Sequence, residues 1–250
     1  MQDAMKTISI ENLPTGVTVI TLQRPQKRNA INAAMARELQ QAFAQFDASG
    51  QRVAVLTGAG DEAFSGGADV TDKPELGRCI PTVGITTEKP IIVALSGWCV
   101  GGALVIAMMA DLVVASETTK FLYPEAKLGL TGGMIAGLAA RIPHKIAMEI
   151  MLLGKPVSAQ RGYEAGLVNQ VVLAGTQRQA AVAMAEDLAG SAPMVLATLK
   201  RFVNQTILNV GPSEQMMRTA SILRAVDDSA DKQEGLAAYR EKRKPCYTGT

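Results

Sequence analysis

The chain has 250 residues, 48% hydrophobic and 19% charged, enough apolar side chain to bury a large core and too ordinary a balance for a disordered chain. Lys and Arg number 25 against 23 Asp and Glu, a formal net charge of +2, so no general affinity for nucleic acid or an acidic membrane is expected. Cys79, Cys99 and Cys246 are too scattered for a disulfide framework or a paired-cysteine metal motif, the N-terminus does not resemble a secretory signal, and no apolar run nears the ~20 residues of a membrane span; the expected compartment is the cytoplasm.

KTISIEN (6–12) and VTVITLQ (17–23) flank the turn signal PTG and predict a hairpin. INAAMARELQQAFAQFDAS (31–49) places apolar residues at 31, 35, 39, 42, 43 and 46, a helical period. RVAVLTG (52–58), IIVALSG (91–97) and LVVAS (112–116) read as buried strands. Strands separated by helices require crossovers and a layered α/β body. WCVGGALVIAMMAD (98–111) is a wholly apolar helical stretch opened by a glycine pair, where a solvent-facing helix would show a polar stripe.

Beyond residue 130 helical patterns dominate, at 144–153, 158–166, 176–190, 193–209, 213–226 and near 230–243, with one strand-like run in GLVNQVV (166–172). The expected organisation is an α/β core over residues 1–195 and a helical region over 196–250 that serves oligomerisation or as a lid. The helices over 176–226 are expected to bury little by themselves.

Several familiar chemistries fail on residue type. Gly58, Gly60 and Ala63 match a relaxed dinucleotide pattern after a strand, but Phe64-Ser65-Gly66-Gly67 follows where a helix would have to begin, so a plain glycine turn is preferred. His144 is the only histidine, no G-x-S-x-G occurs, and no cysteine lies near an obvious base, which argues against a nucleophilic triad. His144 follows Pro143 and suits a helix start. Metal binding by His and Cys is not expected.

Two glycine-rich segments remain, FSGGADV (64–70) and SGWCVGGALVIAMMAD (96–111). Glycine lets main-chain N–H groups approach a ligand, and an opening helix favours developing negative charge. Two such donors aimed at one oxygen make an oxyanion hole. Close helix–sheet packing is the competing explanation for either segment alone.

Together, and with RPQKRNAIN (24–32), TKFLYPEAKLGL (119–130), AMEIMLLGKPVSAQRGYEAGLVNQVV (147–172) and EGLAAYREKRKP (234–245), these segments resemble the enoyl-CoA hydratase/isomerase, or crotonase, family nearly end to end. The resemblance implies a ClpP/crotonase-like spiral core of ββα units with a helical C-terminal region. It implies an acyl-CoA substrate, a homotrimer or dimer of trimers, and no cofactor beyond the coenzyme A of the substrate. Neither nucleic acid nor membrane is an expected partner. Its oxyanion donors fall on the amides of Ala68 and Gly102, flanked by Ser65, Gly66, Gly67 and Asp69. Its CoA-supporting turn falls on Arg24, Lys27, Arg28 and Ala30, and a phosphate-reaching position on Lys242.

Hydratases of that family use two glutamates. Their positions correspond here to Glu125 and to Val105, so one acid is kept and one is absent. A lone acid suits a proton shuttle, as in the family's enoyl-CoA isomerases, and double-bond isomerisation is the expected reaction. Hydration stays open through another water-holding group such as Tyr123 or Thr131. A CoA-thioester binder with weak catalysis is the alternative of a different class. The short stretches over 69–90 and 129–138 bear on substrate shape.

Overall fold

The structure, a computed structural model, describes residues 5–250. The hairpin forms as predicted: β1 (Ile8–Asn12) pairs antiparallel with β2 (Val17–Leu22). Asn32 then caps α1 (Ala33–Ala48), its side chain accepting the Met35 N–H at 3.0 Å. Ile31, counted as helical by its period, instead forms a parallel β-bridge with Ala68. The helix thus starts two residues later than its period implies, and the bridge aligns the first glycine segment with residues 28–31.

The next strands alternate between two sheets: β3 (Val53–Gly58) then β4 (Ala63–Ser65), β5 (Ile91–Leu95) then β6 (Trp98–Val100), β7 (Leu112–Ser116) then β8 (Lys120–Leu122). The second of each pair enters a small sheet completed by β9 (Val157–Ser158), in the order β4-β6-β8-β9. β10 (Gln170–Val172) closes the large sheet, ordered β1-β2-β3-β5-β7-β10 and parallel beyond the hairpin. Two strands followed by a helix or tight turn, repeated, give the expected spiral core.

α2 (Gly102–Met109) follows β6 and α3 (Glu125–Leu128) follows β8. α4 (His144–Met148) winds into a π turn, and α5 (Ala159–Glu164) precedes β10. His144 is the exposed first residue of α4. The strand expected over 166–172 is confined to its last three residues.

The large sheet is buried on both faces, which explains its continuous apolar strands. Ala54, Leu56, Ile91, Val93 and Leu95 pack in one core with α1 and α2, whereas Val53, Val55, Ile92, Ala94 and Val114 pack in another. α6 (Gln177–Ala189) covers that second face through Ala181 and Ala185. The expectation that helices over 176–226 bury little therefore fails for α6, whose small alanines hide a real packing face. It describes α7 (Pro193–Phe202), which has no fully buried residue. The expected boundary at 195/196 falls inside α7.

α8 (Pro212–Asp227) folds back over the residues between β4 and β5. Arg224 pairs with Glu75 at 2.6 Å and Arg78 with Asp228 at 3.2 Å, while Met217 packs beside Gly77. α9 (Ala230–Glu241) packs on α8. No single helix among the described residues is long and apolar enough to cross a membrane.

Candidate active site

β4 runs into Gly66–Asp69, which lies along residues 28–31 as a short main-chain ladder. Gly66 N–H donates to Arg28 C=O, Ile31 N–H to Gly67 C=O, and Asp69 N–H to Ile31 C=O, each at 2.8 Å. In a trans peptide the C=O of one residue and the N–H of the next point opposite ways. Because the Gly67 carbonyl faces Ile31, the Ala68 N–H must face away from it. The start of α2 lies against this segment: a Cβ on Gly67 would sit 2.7 Å from Val100 O and 3.5 Å from Gly102 N. Neither the Ala68 nor the Gly102 N–H has a hydrogen-bond partner among the described residues. Two unengaged amides stand at neighbouring main-chain positions.

Why a glycine pair opens α2 has an internal answer. Gly101 adopts φ +54°, ψ −114°, open to few other residues, and a Cβ there would meet Glu125 Oε1 at 2.6 Å. At Gly102 a Cβ would lie 2.6 Å from Leu76 Cδ2. The glycines thus admit one acid and one apolar side chain from other parts of the fold. All eight residues of α2 are buried, which is why it lacks a polar stripe.

Glu125 begins α3 after Pro124, and Gly129 ends the helix in the left-handed conformation. Its carboxylate joins Tyr123, Leu130, Thr131, Ile135 and Met151 around a cavity of about 410 Å³. Glu125 Oε2 is buried and without a partner among the described residues. Burial holds the carboxyl above the usual carboxylate range, with its own main-chain amide pulling the other way. Tyr123 Oη and Thr131 Oγ1 are hydrogen-bonded at 3.1 Å in the same cavity. Burial raises the Tyr123 phenol, so it stays neutral and able to donate. A carboxylate with a raised pKa, an unmet lone pair and apolar walls can take up and return a proton.

The other candidates divide. Buried Ser65 accepts the Gly67 N–H at 3.1 Å and so shapes the glycine turn. Asp69 accepts from Thr71 and from Arg24, which hold its carboxyl down to about 2. Arg24 spans Asp69 (3.0 Å) and the Ala30 carbonyl (2.5 Å). Lys27 is exposed, and Arg28, also exposed, pairs with Glu62. Val105 is a core residue, 4% exposed, and is not in the wall of the Glu125 cavity. Lys242 is exposed at the left-handed cap of α9. Gly58, Gly60 and Ala63 lead into β4 with no helix between them, as the glycine-turn reading requires. No group of three or more His, Cys, Asp or Glu fit for a metal ion occurs among the described residues.

Three contributors went unnoticed in the sequence. Asn29 is wholly buried; its side chain donates to the Ala59 and Ala63 carbonyls, both at 2.9 Å, and accepts the Arg24 N–H at 3.0 Å. The readable signal is its residue type, an amide after a run of basic residues that tolerates the left-handed φ of +51° found there. Leu76 lies against Gly102, and Met217 lies beside Gly77 and Gly132; both come from distant stretches and leave no local pattern. Two larger cavities, about 500 and 420 Å³, share walls at Pro90, Leu188 and Leu196 beneath α7 and contain none of the candidates.

The family model described as enoyl-CoA hydratase/isomerase matches residues 12–80 and 82–250. A carnitinyl-CoA dehydratase of Proteus mirabilis is 33% identical over 250 residues, covering 93% of this chain and 95% of its own. A probable enoyl-CoA hydratase of Rhizobium meliloti is 33% identical over 241 residues, covering 91% and 93%. The crystal structure of enoyl-CoA hydratase from Mycobacterium tuberculosis H37Rv superposes with a TM-score of 0.74 at 34% identity, covering 98% of this chain and 99% of the other. That of carnitinyl-CoA hydratase from Mycobacterium avium gives 0.75 at 30% identity, covering 98% and 99%. With its fold matched nearly end to end and its sequence matched across both glycine segments, the chain belongs to the enoyl-CoA hydratase/isomerase family.

Proposed function

We propose that this enzyme isomerises the double bond of an enoyl-CoA thioester through an enolate, with Glu125 as its one acid–base group. The Ala68 and Gly102 amides hold the thioester oxygen as it gains charge. Glu125 removes a proton from one carbon and returns it to another. Removing one such donor costs about 2.7–4 kcal/mol in comparable sites, so the amides carry much of the catalysis. The observation that carries the reading is the single carboxylate in the Glu125 cavity, with apolar Val105 where the family's second acid stands. The chemistry calls on no further cofactor, coenzyme A arriving with the substrate. The exposed Lys27 and Arg28 of the 24–30 turn, together with Lys242, belong to its binding side in this reading.

A second reading has its own support. The Tyr123–Thr131 pair in the same cavity is suited to hold a water, and the relatives are named hydratases and dehydratases. Incubation with 2-enoyl- and 3-enoyl-CoA in deuterated water separates the two. Isomerisation leaves deuterium in recovered enoyl-CoA and no hydroxyacyl product; a lasting hydroxyacyl-CoA overturns it in favour of hydration. Assembly as a homotrimer or pair of trimers is part of the proposal, supported by the exposed Met194, Val195, Leu199 and Phe202 of α7. Light scattering of the purified protein tests it.

A further inference from the structure

We infer that Arg24 is a positioning residue, whose ion pair with Asp69 locks the Ala68 amide in its aimed direction, and that it is not a contact to the phosphates of coenzyme A. This deepens the enolate reading and rests on it.

Four observations converge. Both members are largely shielded, with side chains 16% and 11% exposed, so an incoming phosphate would have to displace an aspartate already seated on the guanidinium. Arg24 uses its second nitrogen on the Ala30 carbonyl at 2.5 Å, so both ends of the fork are engaged within the chain. Its own main chain is fastened as well, the N–H to Asn29 Oδ1 and the carbonyl to the amides of Lys27 and Asn29. Finally, Asp69 is the residue directly after Ala68, and its N–H bonds Ile31 C=O. Residues 67 and 69 are therefore tied to the 28–31 segment by main-chain bonds, and Asp69 is tied to it again through Arg24.

An oxyanion donor works because it is fixed before charge develops. Residues 66–69 contain two glycines, whose free backbone makes the direction of the 67–68 peptide depend on its ties to residues 28–31. A fork anchored at Ala30 and gripping Asp69 adds a side-chain tie to those main-chain bonds. Thr71 supplies Asp69 with two further donors, its N–H at 3.0 Å and its hydroxyl at 2.7 Å, so the aspartate is held from both sides.

The test uses full-length Arg24→Gln, Asp69→Asn and the double variant. Turnover is followed by uptake of solvent deuterium into 3-enoyl-CoA in deuterated water, free coenzyme A affinity by calorimetry, and enolate absorbance with bound acetoacetyl-CoA. The expected result is a kcat loss of about ten- to a hundredfold in each single variant, the scale of a misplaced catalytic group. KM and coenzyme A affinity stay at the wild-type level, acetoacetyl-CoA is less enolised, and the double variant is no worse than either single. Loss of coenzyme A affinity in Arg24→Gln with kcat intact, or additive losses in the double, overturns the inference. Should the wild type neither exchange protons nor enolise acetoacetyl-CoA, the enolate reading falls. Amide hydrogen exchange over residues 66–69 then still decides the lock: faster exchange in both single variants supports it, unchanged exchange refutes it.

Discussion

Gly101 and Glu125 are fitted to one another: the place a Cβ would take on residue 101 lies 2.6 Å from Glu125 Oε1. Gly101→Ala therefore has two costs. The backbone must hold φ +54°, ψ −114°, a strain of about 1–3 kcal/mol for a residue with a side chain. The new methyl must also push the carboxylate out of its seat. We expect a lowered Tm and a larger loss of kcat than of substrate affinity. Gly102→Ala meets only the end of the flexible Leu76 side chain and should cost less stability. Thermal unfolding of the two variants side by side checks this, and equal losses would refute it.

Glu125→Gln removes the acid–base group without changing its shape. Activity should fall by about 10²–10⁴, the range of general acid–base contributions. Wild-type kcat/KM should rise with pH through an acid limb above 4.5, because burial raises the carboxyl and only its ionised form takes a proton. The stability sign is opposite to that of a paired aspartate. A carboxyl whose folded pKa is raised costs stability as pH climbs from its unfolded value through its folded one. Glu125→Gln should thus be at least as stable as wild type above that window. A glutamine variant that unfolds earlier at pH 7 would mean that the carboxylate is held by contacts that stabilise it.

Much of this was legible in the sequence because it is local. The hairpin, the long strands and α1 follow from period and turn chemistry, and the glycine segments marked where main chain comes close. The small sheet was not legible: β4, β6 and β8 are three residues each, too short for any alternation to register. Its partners are set by the repeat of the spiral and not by their own composition. The glycine pair shows the other limit. Its meaning depends on Leu76 and Glu125, which arrive from 25 positions upstream of residue 101 and 24 downstream of it. Asn29 is masked by its charged neighbours Lys27 and Arg28, although a lone amide in a buried turn has few ways to be satisfied.

Val105→Glu would restore the residue type of the family's second acid without restoring its function. Val105 is 4% exposed within the main core and outside the wall of the Glu125 cavity. An ionised carboxylate there would be buried among apolar core side chains, so we expect about 3 kcal/mol or more of destabilisation, or uptake of a proton in its place. Urea unfolding at pH 6 and pH 8 reads both outcomes, the loss growing with pH. A variant as stable as wild type that gained hydratase turnover would show that the helix can turn residue 105 into the site.

Tyr123→Phe and Thr131→Val probe what the hydroxyl pair does. In a proton shuttle the pair only borders the cavity. Deleting one neutral hydrogen bond, worth about 1 kcal/mol, should then slow deuterium exchange by less than about tenfold. The two variants differ in side effects: removing the Thr131 hydroxyl also frees the Gly133 N–H, which it accepts at 3.0 Å, so Thr131→Val should lose more stability than Tyr123→Phe. If instead the pair seats the water of a hydration reaction, formation of hydroxyacyl-CoA falls by about 10² or more in Tyr123→Phe, while exchange at the α-carbon survives on Glu125. Following both products in one reaction mixture separates these outcomes, since isomerisation predicts that no hydroxyacyl-CoA accumulates even before the hydroxyl is removed.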